Sequence, residues 1–154
     1  MDAQSRVALV IGGSRGIGRA IAARLAASGF DIWLTYQANH AAAQAAQAAV
    51  AAQGRACRLL AFDLADRAAT RAALEPLVQE RCPDVLVYNA GIARDNLLAF
   101  MQDNEWDAVL RTNLDGFFHV MKPVIFEMIR MKRGRVVVIA SVSGQLGHAG
   151  QVNY

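Results

Sequence analysis

Five short runs of branched, apolar residues recur along the chain, each separated from the next by a longer stretch with helical periodicity. This alternation constrains the fold more than any other feature. The runs are "VALVI" (7–11), "DIWLTY" (31–36), "CRLLAF" (57–62), "DVLVYN" (84–89) and "RVVVIA" (135–140). Apolar runs without polar alternation belong to strands buried on both faces, which in turn belong to parallel sheets covered by helices. Helices between successive strands supply right-handed crossovers. The expected architecture is a doubly wound, Rossmann-type α/β fold with three layers, α/β/α, in a single domain over 1–154.

The intervening segments support this reading. After the first run, Ile17, Ile21 and Leu25 share one helical face, and Gly29 ends the helix. The alanine-rich stretch 39–54 reads as a helix with Asn39 as N-cap and Gly54 at its end, since alanine has the best helix propensity. Asp66 caps a third helix, which Pro76 is expected to kink. The long helical stretch 104–134 contains Gly116 and Pro123 and so predicts a bend. His119, Trp33 and Trp106 read as core residues, while His40 and His148 have no evident partner.

Composition narrows the class. A chain of 154 residues, 55% hydrophobic, can bury a sizeable core, yet no apolar run approaches the ~20 residues of a membrane span. The start "MDAQSR" has no signal-peptide profile, which makes a cytoplasmic location the expectation. Cys57 and Cys82 form neither a disulfide framework nor a metal spacing. A net charge of +3 suits a phosphorylated ligand or an acidic partner, and no basic tract interleaved with aromatics argues for nucleic acid.

In doubly wound folds ligands bind beyond the carboxyl ends of the strands, where strand order reverses. The first run ends in Gly12-Gly13-Ser14-Arg15-Gly16-Ile17-Gly18. Gly12 allows a tight exit from the strand, Gly16 a close approach to a pyrophosphate, and Gly18 close packing of helix on strand. The helix start then offers free amides to phosphate. The second run ends in Thr35-Tyr36-Gln37-Ala38, without the acid that accepts from the ribose hydroxyls of NAD, whereas Arg15 is placed for a 2′-phosphate. NADP(H) is the expected cofactor. Asp63 after the third run reads either as an acceptor for adenine or as a turn residue. Asn89-Ala90-Gly91 end the fourth run, and Ser141 the fifth.

Together these motifs resemble the short-chain dehydrogenase/reductase family. "GGSRGIG", "FDL", "NAG", "RTNLDG", "SVSG" and "NY" stand in that family's order and spacing, and "NAGIARDNLL" and "GQVNY" look most like its 3-oxoacyl-(acyl-carrier-protein) reductase branch. The resemblance implies NADPH-dependent reduction of a 3-oxoacyl thioester, carried by acyl carrier protein or CoA, in fatty acid or related biosynthesis. Tyr154 would be the general acid, Ser141 would orient the carbonyl and Asn113 would support a relay water. Gly12, Ser14, Arg15, Gly16, Ile17 and Gly18 would hold the phosphates, Asp63 and Leu64 would meet adenine, and Asn89, Ala90 and Gly91 would line the ribose. No metal is implied. A homo-oligomer, dimer or tetramer, is implied, with Phe117, Phe118, Ile125 and Met128 as candidates for its interface and core packing as the competing role. The alternatives are a reductase or dehydrogenase of another ketone or alcohol (polyketide, sugar or steroid), or a nucleotide-binding protein without turnover.

Two departures from the family pattern carry expectations. Ile11 stands where the family usually has threonine, so a hydroxyl that ties down the glycine loop is missing and cofactor binding is expected to be looser. A free phenol titrates near ~10 and needs a nearby positive charge to exchange protons at neutral pH. The family supplies that charge from a lysine four residues after the tyrosine, and the sequence stops at Tyr154. The expectation is the N-terminal part of a longer reductase, truncated after the fifth strand and inactive or poorly soluble alone. Finally, "IRMKRGR" (129–135) reads as cations at a helix end, or as a docking patch in which Lys132 and Arg133 receive an acidic carrier protein.

Overall fold

Every apolar run becomes a strand. In the computed structural model, which describes residues 5–154, β1 (Arg6–Ile11) leads into α1 (Gly16–Ala27), β2 (Phe30–Tyr36), α2 (His40–Ala51) and β3 (Cys57–Ala61). Then come α3 (Arg67–Glu80), β4 (Val85–Tyr88), α4 (Asp103–Val109), α5 (Gly116–Arg130), β5 (Arg135–Val138) and the short α6 (Ser143–Leu146). The strands form one parallel sheet in the order β3-β2-β1-β4-β5. The chain winds outward from β1 to β3 and then returns to β1's other side, so β1 and β4 flank the point where strand order reverses.

Alternation along β1 shows why the sheet is covered on both faces. Val7, Leu9 and Ile11 join one core with Leu74 and Leu77 of α3 and Val120 and Val124 of α5. Ala8 and Val10 point the other way, into a second core with Ala22 and Ala26 of α1 and Ala43, Ala46 and Val50 of α2. All five residues are fully buried. Small side chains on α1 and α2 let those helices lie close to the sheet. The Asn39 carboxamide oxygen accepts from Ala42 N–H at 2.9 Å, and the Asp66 carboxylate accepts from Ala69 N–H at 3.0 Å, capping α2 and α3 as expected.

Several expectations need correction. Ile17 is exposed, because α1 buries the Gly18–Ala22–Ala26 face, with Ile21 and Leu25 packed at its margin. The break in the long helical stretch is a π-helical segment, Leu110–Asp115, just before Gly116, while Pro123 lies inside continuous α5. Trp33 is buried but Trp106 is 39% exposed, on the short α4. The exposure of all four β5 residues is no such correction: a sheet that stops after its fifth strand leaves that strand without an outer neighbour, and among the described residues β5 pairs only with β4. Phe118 and Ile125 are exposed, whereas Met128 is buried and Phe117 packs against the core. No helix among the described residues is long and apolar enough to cross a membrane.

Candidate functional site

The switch point holds a crevice of about 420 Å³. Of the glycine loop, Gly12, Ser14, Arg15, Gly16 and Ile17 line it, together with Asp63, Leu64, Asn89, Ala90 and Gly91. Gly18 lies beneath, where a side chain would collide with the Gly12 carbonyl oxygen. That contact sets how closely α1 abuts the end of β1. Gly12 itself has a φ of +74°, a conformation that side chains resist, and an added Cβ would stand 2.9 Å from Ala90. Asn89 donates from Nδ2 to the Gly12 carbonyl oxygen at 2.9 Å, so the end of β4 grips the turn after β1.

The start of α1 is open to an anion. Its N-cap, Arg15, makes no capping hydrogen bond, and the first turn carries no acidic residue. Gly16 and Ile17 of that first turn line the crevice with no side chain capping the helix start, and the exposed Arg15 lines it next to them. At the other end, Gln37 Nε2 donates to Asp63 Oδ2 at 2.8 Å, while Asp63 Oδ1 accepts from Ala65 N–H at 2.9 Å. Asp63 is therefore a turn residue in this structure as well as a wall of the crevice. His40, without an evident partner in the sequence, meets the Tyr36 hydroxyl at 2.6 Å from Nδ1.

Asn113 lies in the π segment and uses both ends of its amide on one residue. Its Oδ1 accepts from Ile92 N–H at 2.9 Å and its Nδ2 donates to Ile92 O at 2.9 Å. This clamp fixes the strand-like loop after β4 against the helical layer. Tyr88 assists it by donating to Thr112 O at 3.2 Å. Burial pushes the Tyr88 phenol well above its ordinary range, so it serves as a fixed donor rather than a proton source. Tyr154 is 45% exposed and its hydroxyl has no hydrogen-bond partner among the described residues. Ser141 Oγ accepts from Ser143 N–H at 3.2 Å. Neither Ser141 nor Tyr154 lines the crevice itself.

Sequence reasoning passed over Thr35, Ile92 and Thr112 as crevice residues. Thr35 was visible only as one residue of a strand end lacking an acid, and Thr112 as one residue of a helical stretch. Burial pushes the Cys57 thiol up to about 11 and also raises Cys82, so neither offers a thiolate. Among the described residues no cluster of three or more His, Cys, Asp or Glu side chains is arranged to hold a metal.

Strand order, glycine turn and switch-point crevice define a doubly wound, Rossmann-like α/β protein. The short chain dehydrogenase family model matches residues 6–154, and the chain belongs to that family. It is 45% identical over 152 residues to the 3-oxoacyl-[acyl-carrier-protein] reductase FabG of Aggregatibacter actinomycetemcomitans, covering 97% of this chain and 63% of that protein. It is 41% identical to the protein of the same description from Escherichia coli (strain K12), covering 100% of this chain and 62% of the relative. For that of Staphylococcus aureus (strain Mu50 / ATCC 700699) the figures are 38%, 97% and 61%. The chain thus spans about three fifths of the length of these curated relatives.

Proposed function

We propose that the chain carries the cofactor-binding region and the proton donor of an NADPH-dependent reductase acting on 3-oxoacyl thioesters. The observation that carries the cofactor half is the uncapped, acid-free start of α1 with Arg15 beside it, at a crevice whose β2 edge offers no carboxylate. Such a cradle suits a pyrophosphate, and Arg15 suits a 2′-phosphate through its forked donors. Gly12, Ser14, Gly16, Ile17 and Gly18 would shape the phosphate site, Asp63 and Leu64 the adenine site, and Asn89, Ala90 and Gly91 the ribose site. Bound there, the nicotinamide dinucleotide would supply a hydride.

Reduction of a ketone builds negative charge on its oxygen, which needs a donor and a proton source. Ser141 would donate a hydrogen bond to that oxygen, and Tyr154 would transfer the proton. Asn113 would support the relay water that returns a proton to the tyrosine, with its amide already committed to Ile92. The substrate class comes from the three relatives above, each a 3-oxoacyl-[acyl-carrier-protein] reductase. Lys132 and Arg133 form the docking edge we assign to an acidic carrier protein. Lys132 is exposed without an ion-pair partner among the described residues, and Arg133 pairs with Asp84 at 3.0 Å.

Steady-state oxidation of NADPH by acetoacetyl thioesters tests the reading. Turnover on a carrier-linked substrate is expected, with KM raised by K132E/R133E on that substrate but not on a small thioester analogue. Absence of NADPH consumption with every 3-oxoacyl thioester would refute the substrate class. Equal effects on both substrates would refute the docking edge.

A further inference from the structure

The two side chains assigned to the carbonyl, Ser141 and Tyr154, lie at either end of a segment whose only regular element is the short α6. No strand pairing holds this segment, so isolated backbone bonds and side chains share the task. Gln151 has the central place among them. Its Oε1 accepts from Ser143 Oγ at 2.9 Å, and its Nε2 donates to Asp95 Oδ2 at 3.0 Å. Ser143 N–H in turn donates to Ser141 Oγ at 3.2 Å. The backbone carbonyl of Gln151 accepts from Tyr154 N–H at 3.1 Å.

One residue therefore connects to both reacting positions and to the loop after β4. The neighbours tighten the same seam: Asn96 N–H donates to Gly150 O at 2.8 Å, and Asn153 Nδ2 to Arg94 O at 2.9 Å. Asn153 is 5% exposed, so the chain immediately before Tyr154 is pinned from beneath.

We propose that Gln151 is a positioning residue that sets the separation of the Ser141 and Tyr154 hydroxyls, with Asp95 as its anchor. The proposal rests on the roles given to those two residues under the proposed function. The chemistry calls for an amide, which offers an acceptor and a donor at one side-chain terminus. A carboxylate at position 151 keeps the bond from Ser143 but meets Asp95 as a second acceptor of like charge. Reactions that depend on two groups meeting one oxygen lose about 10²-fold for a displacement near 1 Å.

The test compares wild type, Q151E and D95N/Q151E, using the protein expressed from its own gene. Kcat with acetoacetyl thioester and NADPH affinity by nicotinamide fluorescence are measured for each. Q151E is expected to lower kcat by roughly 10²-fold while leaving NADPH affinity within about twofold, because Gln151 does not line the cofactor crevice. The double variant reverses the bond, with the amide at position 95 donating to the carboxylate at 151, and is expected to regain about tenfold. Unchanged kcat in Q151E would overturn the proposal. So would a double variant no better than the single, or a loss of NADPH affinity matching the loss of rate, since either marks general disruption. Wild-type protein that binds NADPH but turns over no thioester would instead defeat the proposed function, and the positioning role with it.

Discussion

Gly12 N–H donates to the Thr35 hydroxyl at 3.0 Å, and Gly13 N–H donates to the Thr35 carbonyl at 3.0 Å. The end of β2 thus holds the first two residues of the glycine turn. This bears on Ile11, which stands where the family usually has a hydroxyl. Ile11 is fully buried in the core, and Thr35 supplies a hydroxyl to the turn from the neighbouring strand. Thr35 is 2% exposed, and its replacement by valine would leave the half-buried Gly12 N–H without this partner. T35V is expected to cost about 1–2 kcal/mol in urea unfolding and to weaken NADPH binding several-fold, while T35S stays near wild type. Equal behaviour of the two variants would rule out the hydroxyl as the tether.

Gly13 packs on Leu34, and a Cβ at position 13 would stand 2.7 Å from Leu34 Cγ. Its conformation is not at issue; the lack of space is. G13A is expected to destabilise by about 1–3 kcal/mol, the usual cost of overpacking a core. L34A opens a cavity and is costly by itself. Their combination should be less destabilising than the sum, by about 1 kcal/mol or more, when chemical unfolding is measured for all three. Strict additivity would show that the two side chains do not compete for one volume.

The end of α5 carries a strained residue. Arg133 N–H bonds back to Met128 O and Lys132 N–H to Ile129 O, which is the Schellman pattern, and Lys132 occupies its left-handed position with φ 53°. Glycine is the usual residue there. K132G is expected to raise the melting midpoint, with a gain of about 0.5–1 kcal/mol. The same variant should raise KM for a carrier-linked substrate, so stability and docking would move in opposite senses. A drop in stability would contradict the strain.

Much of the fold is legible because a doubly covered parallel sheet writes itself as uninterrupted apolar runs. The failures share a cause: periodicity reports apolarity, not neighbours. "RVVV" has the apolarity of a buried strand, and its exposure is legible only from its place in the chain, since among the described residues β5 pairs with β4 alone. Ile17 completes an apolar stripe, yet α1 turns its small residues to the sheet. The π segment "LRTNLD" has no pattern distinguishing it from α-helix. At the candidate site, the glycine turn and Asn89 could be picked out from their place at strand ends. The tie from Thr35 to Gly12 and the bridge from Gln37 to Asp63 could not, because both require knowing that β2 lies between β1 and β3.

Asp31 anchors the opposite end of the sheet. Burial alone would push its carboxyl up. The Ser5 hydroxyl at 2.5 Å, the Ala56 N–H and the guanidinium of Arg55 at 2.8 Å outweigh that and hold it below its usual range. A carboxyl with a depressed folded-state value contributes stability above its unfolded value, near ~3.9, and loses it as pH falls through the folded value. The unfolding free energy of wild type minus that of D31N should therefore be constant from neutral pH down to about 4 and shrink below it. A difference that stays flat to lower pH would contradict this assignment.

The most direct test of the central claim follows the hydride itself. The protein expressed from its own gene is incubated with a 3-oxoacyl thioester and NADPH carrying deuterium at the transferable position, and the product is analysed by mass spectrometry. The account predicts a 3-hydroxyacyl thioester with one deuterium on the former ketone carbon, formed faster with NADPH than with NADH. Product without deuterium, no product, or equal labelling from NADH would contradict it.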